Sequence, residues 1–385
     1  VAQTPEKPPR AWRWDSDDGV AALQDVATAL VALHDVENPG TFQLPYPAEA
    51  QRALDRLALT CLWLRCPLPE SVPGLIEWGA TRILDDWPLH LPEGTAHPDG
   101  RLLDEDTRLP TQLCLEWAAD AERHPANRFD RQVLAFAADR CRAEDDQETY
   151  LAFRRQLAKE PVTTKNKLST MLGRTDMDAD LVRDVLNEVY RPAPPGSVEK
   201  GRAVLCGRCG ILLVRTRRSE WRCEREECRR RGVREGKELD ARDGGLRQLT
   251  RPVRQWITAP GRVALKLEQR LRAWCEVELW PDFGAFDLRL VLPGGVVWAV
   301  DVHDWVDPGL LGRLREQPRP DLAAHRRLWV VPRESVTAVS GYRTRYREVR
   351  PIGPELLSDA ELVSEVKAFV ENGPRGREAP DDRPQ

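Results

Sequence analysis

No apolar run in this sequence of 385 residues approaches the roughly 20 residues that a membrane-spanning helix needs. No membrane association is expected. The opening stretch VAQTPEKPPRAWRW also lacks an apolar signal core, so the expected location is cytoplasmic. Net positive charge is missing as well: 58 Lys and Arg against 62 Asp and Glu give a formal charge of −4. Any attraction to nucleic acid must therefore come from a local patch. The nine cysteines do not follow the pattern of a small secreted disulfide scaffold. Cys61, Cys66, Cys114, Cys141 and Cys275 sit among apolar residues and are expected as core thiols. Paired histidines are absent too. His34, His90, His97 and His124 are dispersed, without an HExxH spacing.

The length favours two or three domains. Residues 1–14 and 373–385 are rich in Pro and charge and are expected to be disordered. Between 15 and 190, apolar residues recur at three- and four-residue spacing in segments such as VAALQDVATALVAL and DADLVRDVLNEVY, which predicts an all-α domain for interaction or nucleic-acid positioning. The segment at 191–200 contains RPAPPGSVE and reads as a linker. Residues 201–240 and 255–372 then form two further modules.

The first of these is organised by cysteine. Cys206-Gly-Arg-Cys209 and Cys223-Glu-Arg-Glu-Glu-Cys228 are separated by thirteen residues, the spacing of a zinc ribbon with two knuckles. Four thiolates suit tetrahedral Zn²⁺ and leave no open position for a reacting water, so the expected zinc is structural. Between 201 and 254 the chain carries sixteen Lys and Arg against eight Asp and Glu. Arg229, Arg230 and Arg231 are the candidate phosphate contacts within this patch; a solvated arginine face balancing nearby glutamates is the competing explanation.

The last module reads helix, three strands, helix, strand. Ala264, Leu267, Leu271 and Trp274 form the apolar stripe of the first helix, with Glu268 on its edge. In the third strand, VVWAVDVHDW, alternation puts Val297, Ala299, Asp301 and His303 on one face. The turn Pro293-Gly294-Gly295 fixes a hairpin which, if symmetric about Gly294, sets Asp287 opposite Asp301. Opposed carboxylates repel unless a cation lies between them, and Mg²⁺ takes carboxylate oxygens together with water and phosphate. Pro281-Asp282 falls beyond this register. Pairing of the acids with Arg270, Arg272 or Arg289 would be the plain structural account. Farther on, Tyr342 and Tyr346 interleave four arginines, a pattern suited to backbone tracking or base stacking and equally to a solvated helix face.

Glu268, Asp287 and Asp301-Val302-His303 resemble the PD-(D/E)xK restriction-endonuclease fold between about residues 265 and 332. The order LNEVYRPAP, CGRCG, a second knuckle after Trp221 and AVDVHDW resembles one family in particular. These are the restriction-endonuclease-like proteins encoded beside a PIWI/Argonaute-like protein and a DinG-type helicase in bacterial pPIWI-RE three-gene islands. The resemblance implies a multidomain chain with an all-α N-terminal domain, a zinc ribbon and a C-terminal α/β restriction-endonuclease-like domain. It further implies Mg²⁺- or Mn²⁺-dependent cleavage of DNA in defence against invaders, with RNA–DNA hybrids or R-loops as further substrates. Glu268, Asp287 and Asp301 would then hold metal. The family's motif ends in Lys where this sequence has His303, which can accept a proton but carries no permanent charge. Lys266, two residues before Glu268, is poorly placed to substitute. The rival expectation is an inactive DNA-binding or scaffolding subunit that keeps the nuclease fold.

Overall fold

Helix-period spacing in the first part of the chain produces helices, and strand alternation begins in earnest only after residue 200. The computed structural model describes residues 16–34, 46–89, 91, 100–120, 125–171, 185–194, 196–216, 218–314 and 324–372. The expected disordered ends, His90, His97, His124 and most of DADLVRDVLNEVY lie outside them. The chain divides into two compact units, 1–124 and 125–385.

In the first unit, α1 (Ser16–His34) packs against α2 (Ala48–Leu64) and α4 (Gln112–Asp120), with α3 (Val72–Thr81) between the latter two in sequence. Leu23, Leu30, Leu57, Cys61, Cys114 and Trp117 are buried. Ser71 caps α3 by accepting from the Gly74 amide, which satisfies one of the helix's orphan donors. Cys66 is only half-buried, because it follows Arg65, a left-handed residue that ends α2.

The second unit begins with two helices, α5 (Pro125–Ala143) and α6 (Gln147–Lys159). Their residues Val133, Ala137, Tyr150, Phe153 and Leu157 share one core with the nuclease-like module. The packing boundary therefore falls near residue 124, inside the stretch whose periodicity reads as one helical domain. The Pro-rich 191–200 segment is built into sheets. β2 (Tyr190–Pro192) pairs with β8 (Leu246–Leu249), beside β1 (Val162–Thr164), while β3 (Val198–Glu199) pairs with β4 (Arg202–Cys206), itself paired with β7 (Glu235–Asp240). Helix α7 (Lys165–Met171) follows β1; between the knuckles, β5 (Val214–Arg215) and β6 (Trp221–Arg222) form a short hairpin, and α8 (Glu226–Arg230) lies at the second knuckle.

Helix α9 (Ala259–Leu271) opens with Pro260 in its first turn and is preceded by a π-helical turn over Arg254–Thr258. Ala264, Leu267 and Leu271 are buried against the sheet, and Trp274 packs partly buried beside them. Gly261 lets α9 approach α6 closely, since a Cβ there would lie 3.0 Å from that of Ala158. The sheet runs in the order β13-β12-β11-β10-β9. β9 (Glu276–Leu279), β10 (Leu288–Leu292) and β11 (Val296–Val302) form an antiparallel meander. β11, β12 (Arg326–Val331) and β13 (Glu355–Ser358) are parallel. Leu288, Leu290, Trp298, Val300, Val302, Leu328 and Val330 face the core shared with α9 and α12 (Asp359–Asn372). On the opposite face lie α10 (Pro308–Arg313) and α11 (Tyr342–Val349). Tyr342 and Tyr346 are fully buried there, the latter's ring 5.9 Å from that of Trp329. Their hydroxyls donate to the Trp305 and Pro354 carbonyls, so these rings build the sheet's second layer and are not open for base stacking.

Candidate nuclease and metal sites

Two groupings of chemistry-bearing side chains emerge in the second unit. In the first, Leu288 pairs with Val300 and Leu292 with Val296, which is the register expected from symmetry about Gly294. Gly294 and Gly295 supply φ of 80° and 76° at the turn, a conformation open to glycine. Asp287 precedes β10 and lies one residue beyond the paired stretch. Its amide donates to the Val300 carbonyl, and its Oδ2 accepts from the Val302 amide at 2.9 Å.

The other oxygen of Asp287 is also engaged. Oδ1 accepts from Arg154 Nη2 at 3.1 Å and from the Trp280 indole at 3.0 Å, and the Arg154 guanidinium lies over the Trp280 ring. Three donors leave about one of a carboxylate's four lone-pair directions unused. Trp280, Asp282 and Phe283 hold φ of 44°, 46° and 53°, which costs a non-glycine residue on the order of 1–3 kcal/mol. The Gln147 side chain fixes this turn by donating to the Trp280 carbonyl and accepting from the Phe283 amide. The outcome is an indole aimed at Asp287, with Asp282 exposed and off the hairpin.

Glu268 is held by arginines of its own. It is buried on α9, and its Oε1 accepts from Arg155 at 3.0 Å and Arg272 at 2.6 Å. Of Arg270, Arg272 and Arg289, only Arg272 meets one of the three acids; Arg289 pairs with Glu278, and Arg270 lies 3.8 Å from Asp359. Val300 and Val302 face α9, so Asp301 and His303 project to the other side of the sheet. The His303 amide donates to the Val330 carbonyl, and its ring lies 4.5 Å from that of Trp329. Asp287 meets β11 through the Val300 carbonyl and the Val302 amide, and among the described residues Glu268, Asp287 and Asp301 are not gathered into one ligand cluster. Two carboxylates still fit a hard divalent cation, which takes one or two such ligands and fills its shell with water and phosphate.

The second grouping is the cysteine set. Among the described residues, Cys206, Cys209, Cys223 and Cys228 are the group of three or more His, Cys, Asp or Glu whose ligand atoms lie within 4.8 Å of one another. All four are buried, and Cys209 Sγ is 3.5 Å from Cys223 Sγ. A tetrahedron with metal–sulfur distances of ~2.3 Å spaces its sulfurs by roughly 3.8 Å, so the set could hold a metal ion such as zinc. The first knuckle is a tight turn closed by Gly210 donating to the Cys206 carbonyl, and Cys228 sits in the short helix α8 (Glu226–Arg230).

The arginine run beside it is already committed. Arg229 donates to the Cys223 and Glu224 carbonyls, Arg230 pairs with Glu226, and Arg231 pairs with Glu227 and Glu334. Other ribbon contacts reach the nuclease-like module directly. Arg225 meets the buried Asp304 at 2.6 Å, just past His303, and Arg262 of α9 donates to the Cys209 carbonyl. Glu224 is buried between Arg251 and Arg254. Arg154 and Arg155 carry no motif and stand 133 and 113 residues from their acidic partners. Their only sequence signal is a pair of cations on an amphipathic helix.

Two family models match the chain. One, described as pPIWI_RE three-gene island domain Y, covers residues 22–164, and the other, described as REase associating with pPIWI_RE, covers residues 261–374. No curated protein and no solved structure matches. The first match runs to the end of β1 and includes α6, so Arg154 and Arg155 belong to the domain Y region. The second spans the stretch from α9 to α12.

Proposed function

Since the chain is a pPIWI-RE island restriction-endonuclease-like protein, we propose that it is a metal-dependent DNA endonuclease component of an anti-invader system. Its partners in this reading are a PIWI/Argonaute-like protein and a DinG-type helicase, on DNA, RNA–DNA hybrid or R-loop substrates. The observation that supports it is the Asp287 carboxylate at the β10–β11 hairpin, which accepts from the amide of Val302, the residue between Asp301 and His303. Asp287 and Asp301 would hold Mg²⁺ or Mn²⁺, which supplies an acidified water and charge stabilisation at phosphorus.

The chain's own groups divide the remaining work. Arg154 and Trp280 fix the rotamer of Asp287, so its remaining lone pair is presented in one direction. Glu268, clamped by Arg155 and Arg272, serves as the helix carboxylate at the edge of the site. His303, beside Trp329, takes the place of the family's Lys and can take up and return a proton. The four cysteines would hold one structural zinc. A second reading, a DNA-binding or scaffolding subunit without catalysis, is favoured by the guanidiniums on Asp287 and Glu268 together with His303 in the Lys position.

Mn²⁺ binding to zinc-loaded protein, followed by electron paramagnetic resonance, separates the two. The nuclease reading expects a site lost in Asp287→Asn and in Asp301→Asn and kept in Glu278→Gln. Equal Mn²⁺ binding by all four proteins would leave the scaffold reading.

A further inference from the structure

A cleft of about 130 Å³ lies where the cysteine ribbon meets α9, and among its lining residues are six cations: Arg208, Arg225, Arg231, Arg254, Arg262 and Lys266. That volume is several times what one water needs. Its place in the fold follows from the sheet. Pro332, directly after β12, and Asp359, directly after β13, line it, and Arg225 on its wall reaches Asp304 just beyond β11. The cleft therefore opens at the carboxyl ends of the three parallel strands, where open α/β sheets bind ligands.

The six cations are not equivalent. Arg225 is paired with Asp304 and Glu227, Arg231 with Glu227 and Glu334, and Arg254 with Glu224. Arg208 donates to the Gly232 and Arg231 carbonyls, and Arg262 to the Cys209 and Arg208 carbonyls. Neither has a carboxylate partner among the described residues, and Lys266 stands exposed on the α9 turn after Arg262. Three cationic groups thus meet in a cleft whose lining carboxylates, Glu227, Glu334 and Asp359, pair instead with Arg225, Arg231 and Arg270. Four thiolates around a Zn²⁺ carry two net negative charges, which offsets part of that surplus. About one positive charge remains, which matches a singly charged phosphodiester better than a doubly charged terminal phosphate.

We propose that Arg208, Arg262 and Lys266 form a phosphodiester-binding site that anchors a nucleic-acid strand between the ribbon and the nuclease-like module. The inference rests on the nucleic-acid reading above and moves the phosphate contacts from the Arg229–Arg231 run to this cleft. Arg262 bridges the two walls through the Cys209 carbonyl, while Arg208 and Lys266 reach the strand from either side. A strand held there is bound by its backbone, so the contact positions without selecting sequence.

The test is binding of a fluorescent single-stranded oligonucleotide and its duplex to zinc-loaded protein, without divalent cation. Arg208→Gln combined with Lys266→Gln should weaken binding about tenfold or more and flatten the salt dependence by roughly one unit of slope per lost phosphate contact. Arg202→Gln combined with Arg242→Gln, the same charge change elsewhere on the ribbon, should bind like the parent, as should Arg208→Lys combined with Lys266→Arg. Zinc content is measured for each variant. Should Arg208→Gln release zinc, Lys266→Glu alone carries the test. A cleft double variant that binds like the control pair, or a parent that binds neither strand form at low salt, overturns the proposal. Binding and cleavage are read separately, so parental binding by Asp301→Ala with no nuclease activity in any protein would defeat the nuclease reading and leave the cleft standing.

Discussion

Asp307 shows how a single buried carboxyl couples the sheet to pH. It caps α10 by accepting from the Gly309 and Leu310 amides, and burial pushes its carboxyl up to about 7 against the opposing pull of those two hydrogen bonds. A raised acid binds its proton more tightly in the folded state, so its contribution is fully present below the unfolded value of ~3.9. It is lost as pH climbs through about 7. Asp307→Asn keeps an acceptor oxygen and removes the titration. Its melting temperature should therefore hold between about pH 5 and pH 8 where the parent's falls, a comparison that thermal scans across that range make directly. Parallel profiles would show that Asp307 does not titrate in that window. Its neighbours Asp301 and His303 were legible from strand alternation alone, because two-residue periodicity decides which face a side chain takes. Arg154 and Arg155 were not, because nothing local marks a helix residue that pairs with a carboxylate more than a hundred residues away.

At the scale of elements, the cysteine ribbon is fastened to the nuclease-like module by buried charge. Burial alone would raise the Glu224 carboxyl, but Arg251 and Arg254 outweigh it and hold it at about 2. The stability this provides is present above the ordinary carboxylate value and is lost as pH falls toward about 2. Glu224→Gln leaves two buried guanidiniums without their carboxylate and should cost roughly 3–5 kcal/mol, read from the denaturant midpoint. A loss below about 1 kcal/mol would mean that the ribbon docks by other contacts. Metal analysis should give about one zinc per chain, and Cys209→Ser should lose it; zinc retained by that variant contradicts the four-thiolate site. The two knuckles and the hairpin register were readable because each rests on local spacing: Cys-x2-Cys, Cys-x4-Cys and a Pro-Gly-Gly turn. The commitment of Arg229, Arg230 and Arg231 to carbonyls and glutamates was not, since a charge run looks the same whether it faces phosphate or its own chain.

Across the whole molecule, the matched domain Y region extends through α6, beyond the packing boundary near residue 124. Periodicity marks helices but not which core they join, and the linker-like composition of 191–200 masks short strands that pair locally. The nuclease-like module was the most legible part, because its helix stripe, meander and parallel strands each impose a pattern on neighbouring residues. Its acidic trio was legible only in part: the Pro-Gly-Gly turn fixes the register from Leu288 to Val300, whereas Asp287 and Glu268 are held by Arg154 and Arg155 of α6. In the proposed function, Asp287 and Asp301 form a divalent-cation centre with His303 in the Lys position. Cleavage of single-stranded, duplex and R-loop DNA with Mg²⁺ or Mn²⁺, with and without the partner proteins, tests it most directly. Asp301→Ala should abolish cleavage and His303→Lys should preserve or raise it, opposite signs that general destabilisation does not produce. Cleavage by Asp301→Ala at the parental rate, or none by either parent or His303→Lys on any substrate, would contradict it.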